Sequence, residues 1–151
     1  MKRSGLIIGL ILLVFAMAGC TAHDMAQMSQ NAGEAAYKRG DYKCAIDNFK
    51  KAINQAPNRS LSAWRVEKLG DAYFKMGNYK DAIDAYKQCL KRTYIGEFWD
   101  KYPNYRGKIA SNIVASYEAL RDLDSAGLYM EQLITKDRIT PITFGSWAIY
   151  I

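Results

Sequence analysis

Apolar residues recur at helical spacing along the middle of the chain. Ala45, Phe49 and Ala52 stand at i, i+4 and i+7, on one face of a helix. Ala82, Tyr86 and Cys89 repeat the pattern 37 residues later. The self-similarity is wider than one face. Gly33/Gly70, Ala36/Tyr73, Gly40/Gly77, Tyr42/Tyr79, Ala45/Ala82, Ile46/Ile83, Phe49/Tyr86 and Ala52/Cys89 all pair at the same offset without a gap. Each unit reads as a helical hairpin. Small Ala residues let a second helix approach, and Phe49 or Tyr86 fills the space beside them. Gly40 and Gly77 fall where the first helix must end and the chain turn, a position suited to positive φ. Asp41 and Asn78 follow, able to accept from the free amides of the next helix, and Tyr42 and Tyr79 close the corner.

A weaker third unit runs from about Lys108 to Lys136. Ile113, Tyr117, Leu123, Ala126 and Met130 take its apolar slots, and Arg121 replaces the turn glycine. Gly77 and Arg121 lie 44 residues apart, and the surplus falls in Thr93–Gly107, rich in aromatics and broken by Pro103. The pattern predicts an all-α chain: helical repeats over 30–137 with an inserted loop at 93–107. A short tether at 20–29 precedes them, because residues 21–30 lack dense periodicity. An apolar segment, 138–151, follows them.

The repeat resembles the tetratricopeptide repeat, whose usual period is about 34 residues. Leu69, Gly70, Tyr73, Gly77, Tyr79, Ala82 and Tyr86 match its signature in the second unit, with Cys89 in place of a later Ala. The first unit supplies Gly33, Gly40, Tyr42, Ala45, Phe49, Ala52 and Pro57, with Ala36 where Tyr is usual. Val66 and Ser29 stand at the family's Trp position. The resemblance implies a short right-handed helical-hairpin solenoid of about three repeats, close to the minimum for a stable stack. It also implies that the first helix of each pair lines a concave groove for a protein or peptide. By this carry-over the groove is lined by Glu34, Tyr37 and Lys38 from unit one. Unit two adds Trp64, Glu67, Asp71, Phe74 and Lys75, and unit three adds Lys108, Ser111 and Glu118. Aromatic anchors ringed by mixed charge suit a peptide site. Tyr37 and Phe74 could equally pack between helices. The acidic side chains Glu34, Glu67 and Asp71 argue against a basic clamp for a C-terminal carboxylate.

Half of the 151 residues are apolar and 24% are charged, a globular balance. The first residues skew it. Lys2 and Arg3 precede an uncharged apolar run, Leu6 to Ala18, shorter than the roughly 20 residues of a spanning helix. The ending Met17-Ala18-Gly19-Cys20 resembles the lipobox of bacterial lipoproteins. That resemblance implies a signal peptide at 1–19 and a lipid-acylated Cys20. The competing readings are an ordinary signal peptide with a chance Cys or an uncleaved anchor, and the place of Cys20 after two small residues weighs against both. Thr21, rather than Asp, after the Cys implies the periplasmic face of the outer membrane. Loss of 1–19 takes two of the 21 basic side chains, leaving 19 against 15 acidic ones and a charge of +4 rather than +6. That excess suits mild attraction to an anionic membrane or an acidic partner, not nucleic acid.

Chemistry has little to work with. His23 is the one histidine, placed in the tether, and the acidic pairs Asp81/Asp84 and Asp122/Asp124 read as solvated faces or helix starts. No His or Cys pair has zinc spacing and no glycine-rich loop follows a strand. An enzyme, a metal and a cofactor beyond the covalent lipid are therefore not expected. A Cys44–Cys89 disulfide is disfavoured. The unit-two counterpart of Cys44 is Asp81, and Cys89 lies eight residues, about 12 Å, further along that helix; bridged Cα atoms lie within about 7 Å. The segment Ile139–Ile151 is apolar and uncharged and either folds over the open edge of unit three or meets a partner or second copy. The expectation is a lipid-anchored envelope adaptor or assembly factor. An envelope enzyme or peptidoglycan-associated accessory built on the insert, and a self-assembling subunit, are the alternatives.

Overall fold

The computed structural model describes residues 21–57, 59–93 and 105–136. Those residues form six helices and no strand: α1 (Ala22–Lys38), α2 (Tyr42–Gln55), α3 (Arg59–Lys75), α4 (Tyr79–Thr93), α5 (Tyr105–Ala119) and α6 (Leu123–Lys136). The signal segment 1–19, Cys20, most of the insert and the apolar segment 138–151 lie outside the described residues.

Each hairpin ends its first helix in the same way. The Asp41 amide donates to the Ala36 carbonyl and the Gly40 amide to Tyr37; Asn78 and Gly77 do the same to Tyr73 and Phe74, and Asp122 and Arg121 to Tyr117 and Glu118. This pair of bonds needs a left-handed residue at the pivot. Gly40 (φ 79°), Gly77 (φ 83°) and Arg121 (φ 59°) provide it. Asp41 then caps α2 through the Cys44 amide at 3.1 Å, and Asp122 caps α6 through the Ser125 amide at 3.1 Å.

Close helix approach is built on glycine opposite an aromatic ring. A Cβ on Gly33 would sit 2.7 Å from Phe49, and one on Gly70 would sit 2.6 Å from Tyr86. Phe49 and Tyr86 are accordingly buried. Around Phe49, Ala36, Ala45 and Ile46 pack with Leu69 and Ala72 of the next hairpin. Around Tyr86, Ala82, Ile83 and Cys89 pack with Ile109 and Ile113 of the third. The core therefore runs along the stack, each hairpin covering the next: a short all-α helical-hairpin repeat solenoid.

Two boundaries differ from expectation. The tether expected over 20–29 is helical from Ala22. Thr21 Oγ1 accepts from the Asp24 amide at 3.2 Å, and Asp24 Oδ2 accepts from the Thr21 amide at 2.9 Å. That reciprocal capping box starts a helix despite sparse apolar residues. The Thr21 hydroxyl, which also donates to Asp24 Oδ2 at 2.7 Å, and then the Thr21 amide favour the ionised carboxylate and hold Asp24 below the usual carboxylate range. The insert is also shorter than 93–107: Thr93 ends α4, and Tyr105, Arg106 and Gly107 form the first turn of α5.

Candidate functional site

The expected groove residues lie on the first helices α1, α3 and α5, and the structure divides them into three groups. Lys38 and Lys75 are the last residues of α1 and α3, Glu118 lies one residue before the end of α5, and all three are exposed. The two cations stand favourably at the negative ends of their helices. Trp64 is 53% exposed, an unusual state for the largest side chain.

The second group packs inside its own hairpin. Tyr37 meets Tyr42 edge-on at 5.5 Å between ring centroids, and Phe74 meets Tyr79 at 5.3 Å. These pairs close the hairpin corners and leave the two rings half-buried. Burial, with Asp71 nearby, raises the Tyr37 phenol above its usual pKa.

The third group forms a polar seam beneath the groove. Glu67 is only 2% exposed. Its carboxylate accepts from Tyr105 Oη at 2.6 Å and from Lys108 Nζ at 2.5 Å, joining α3 to the start of α5. Asp71 accepts from Tyr86 Oη at 2.9 Å and from Lys68 Nζ at 3.4 Å. Burial lifts the Asp71 carboxyl above its ordinary value, against the pull of Lys68. Burial likewise drives the Tyr86 and Tyr105 phenols upward. Glu34 accepts from Gln30 Nε2 at 3.0 Å. Ser111 Oγ turns back to the Gly107 carbonyl at 3.0 Å, so it serves its own helix.

Sequence reasoning missed Arg65, 1% exposed between the first two hairpins. It donates from Nε to Gln30 Oε1 at 3.1 Å and from Nη1 to the Ala56 carbonyl at 3.2 Å, while Nη2 has no partner. Its counterparts, Met28 and Ile109, are apolar. That contrast was the available signal for a charge in a core row. Arg92 likewise donates to Ser62, tying α4 to α3. Tyr105 was missed because it sat within the supposed loop.

Cys44 and Cys89 are not bridged to each other. Cys89 is buried, 3.3 Å from the Ala63 carbonyl and 3.4 Å from Tyr105 Oη. Among the described residues, no group of three or more His, Cys, Asp or Glu is placed to hold a metal ion. Among them too, no helix is long and apolar enough to cross a membrane.

Hairpins that each turn on a left-handed residue and pack one on the next define a helical-repeat protein. Residues 24–93 match the family model of the tetratricopeptide repeat, and α1 to α4 are a pair of such repeats. The match stops before α5 and α6, which repeat the hairpin with altered packing. No curated protein sequence matches the chain. Tetratricopeptide repeats are protein-interaction modules, typically without catalytic activity.

Proposed function

We propose that the chain is an envelope lipoprotein, held by acyl chains on Cys20, that binds a segment of a partner protein along the α1–α3–α5 face. It acts there as an adaptor or assembly factor. The observation that carries this reading is Trp64. It stands 53% exposed on the groove face, while the neighbouring aromatics Tyr37 and Phe74 are engaged in their own hairpins. A half-wet aromatic with Lys75 on the same helix is the kind of anchor that dominates protein interfaces. The polar seam under it ties α3 to α5, and Arg65 ties α3 to Gln30 of α1, so a partner meets a preorganised face.

The test places a photoreactive side chain at residue 64 and, as a control, at exposed Asp84 on α4. After irradiation of intact envelopes, a discrete adduct with another protein is expected from position 64 and not from 84. Equal adducts from both positions overturn the groove. An adduct of two copies of the chain replaces the adaptor with a self-assembling subunit. Cys20→Ala is expected to abolish palmitate labelling; a variant still labelled removes the anchor from the proposal.

A further inference from the structure

One row of the first helix is covered in the second and third repeats and bare in the first. In α3 the row is Ser62, Arg65, Leu69 and Ala72, at 0%, 1%, 8% and 0% exposure. Leu69 and Ala72 are packed by the preceding hairpin through Ala36, Ala45, Ile46 and Phe49. In α5 the matching residues are Arg106, which is half-buried, and Ile109, Ile113 and Ser116, which are fully buried; the two isoleucines pack on Ala82, Ile83, Tyr86 and Cys89 of the hairpin before. In α1 the corresponding residues are Met25, Met28, Ala32 and Ala35. All four are exposed, Met25 at 45% and Met28 at 67%. A solenoid edge of this kind ordinarily ends in a polar cap. This one is apolar.

What lies next to it follows from the chain. The capping box of Thr21 and Asp24 starts α1 at Ala22, so only Thr21 separates Cys20 from the helix. Met28 is seven residues beyond Thr21, a rise of about 10 Å. Acyl chains on Cys20 therefore bring a bilayer within reach of the bare row with no slack between them. The row itself carries no acidic residue and ends at exposed Arg39, whose sign suits anionic headgroups, while the exposed carboxylate of Asp24 borders it beside Met25 and Met28 and stays on the water side.

We infer that the α1 flank formed by Met25, Met28, Ala32 and Ala35 rests on the lipid surface to which Cys20 is attached, so that the membrane caps the repeat stack. This rests on the acyl anchor proposed above. It adds that the anchor is not a free leash. The stack is held at one orientation, with its first edge on the lipid and its groove facing sideways from it.

The methionines are their own probes. The full chain, purified from membranes with its acyl groups, is reconstituted in vesicles of phosphatidylethanolamine and phosphatidylglycerol. It is then exposed to chloramine-T, a charged oxidant confined to water. Peptide mass spectrometry reads sulfoxide at each Met and the acyl mass on Cys20 in the same sample. The reference is the Cys20→Ala chain in solution. Oxidation of Met25 and Met28 is expected to slow about ten-fold on vesicles, with Met76, 53% exposed at the first α3–α4 turn residue, unchanged. Unchanged rates at Met25 and Met28 on a chain that carries its acyl groups overturn the inference and leave the anchor standing. A chain without acyl groups overturns both. Protection that disappears when protein is diluted at constant lipid assigns the row to a second copy and also overturns it.

Discussion

The first two hairpins and the third solve the same packing problem differently. In the first two, glycine on one helix lets an aromatic ring on the other lie against its backbone: Gly33 with Phe49, and Gly70 with Tyr86. In the third, the glycine position holds Val114, 7% exposed, and the aromatic position holds Met130, 36% exposed. The two changes belong together. A valine at that position occupies the space the ring would need, and a flexible Met can turn aside. Gly127, with nothing near it, also stands where Ile46 and Ile83 fill the first two units. A small residue and a large one on facing helices thus act as one choice, and altering both members leaves a hairpin with a thinner core.

The comparison can be broken by truncation. Phe49→Ala is expected to lose about 3–5 kcal/mol, the range for a buried aromatic, whereas Met130→Ala loses about 1 kcal/mol or less because its side chain is partly wet. Equilibrium urea unfolding of the two variants decides it; equal losses mean that the third hairpin is packed as firmly as the first.

Cys89 reports on the junction between the second and third hairpins. Burial pushes its thiol from 9.0 up to about 12. At pH 8 the folded chain then holds about a thousand-fold less thiolate than an ordinary thiol would. Alkylation by iodoacetamide is expected to be slower at Cys89 by that order than in the urea-unfolded chain. Glu67→Ala, which removes the carboxylate that holds Tyr105 and Lys108 against α3, is expected to speed it while leaving Cys44 unchanged. The unfolded thiol loses its proton near 9 and the folded one near 12, so the folded state binds more protons between those values. Stability therefore falls as pH rises through that window. Rapid Cys89 labelling in the folded chain would mean that the junction opens freely.

The smallest effect concerns the turn. Arg121 holds φ 59° where the other hairpins have glycine. Arg121→Gly is expected to gain about 0.5–1 kcal/mol, the left-handed strain less the entropy a glycine adds to the unfolded chain. Thermal melts check it, and a loss of stability would show that the arginine side chain contributes more than its backbone strain costs.

The repeats were legible because their signals are local: a turn residue, a cap and a helical period, all read from one short stretch. The 37-residue offset located both glycine-pivot hairpins, and the same turn logic located Arg121. The candidate groove was less legible because its positions depend on what returns to them. Glu67 occupies a groove position by register, yet Tyr105 and Lys108 come back across the insert and draw it into the seam. Arg65 looks like any surface cation until the first hairpin closes over it. The start of α1 was hidden for the opposite reason. Its buried face consists of Ala26, Ser29, Gly33 and Ala36, too small to register as a hydrophobic stripe. The Thr21 and Asp24 spacing was the one available sign.

The bonds of Tyr105 and Lys108 to Glu67 have a consequence for the eleven residues 94–104. They leave the end of α4 and return to a start of α5 that is already fixed in space by side chains. The distance between hairpins in space is thus set apart from the number of residues between them in sequence. Doubling such a link adds only about 0.6 kcal/mol of closure entropy. New sequence can be written there, or old sequence erased, while the third pair of helices keeps its seat.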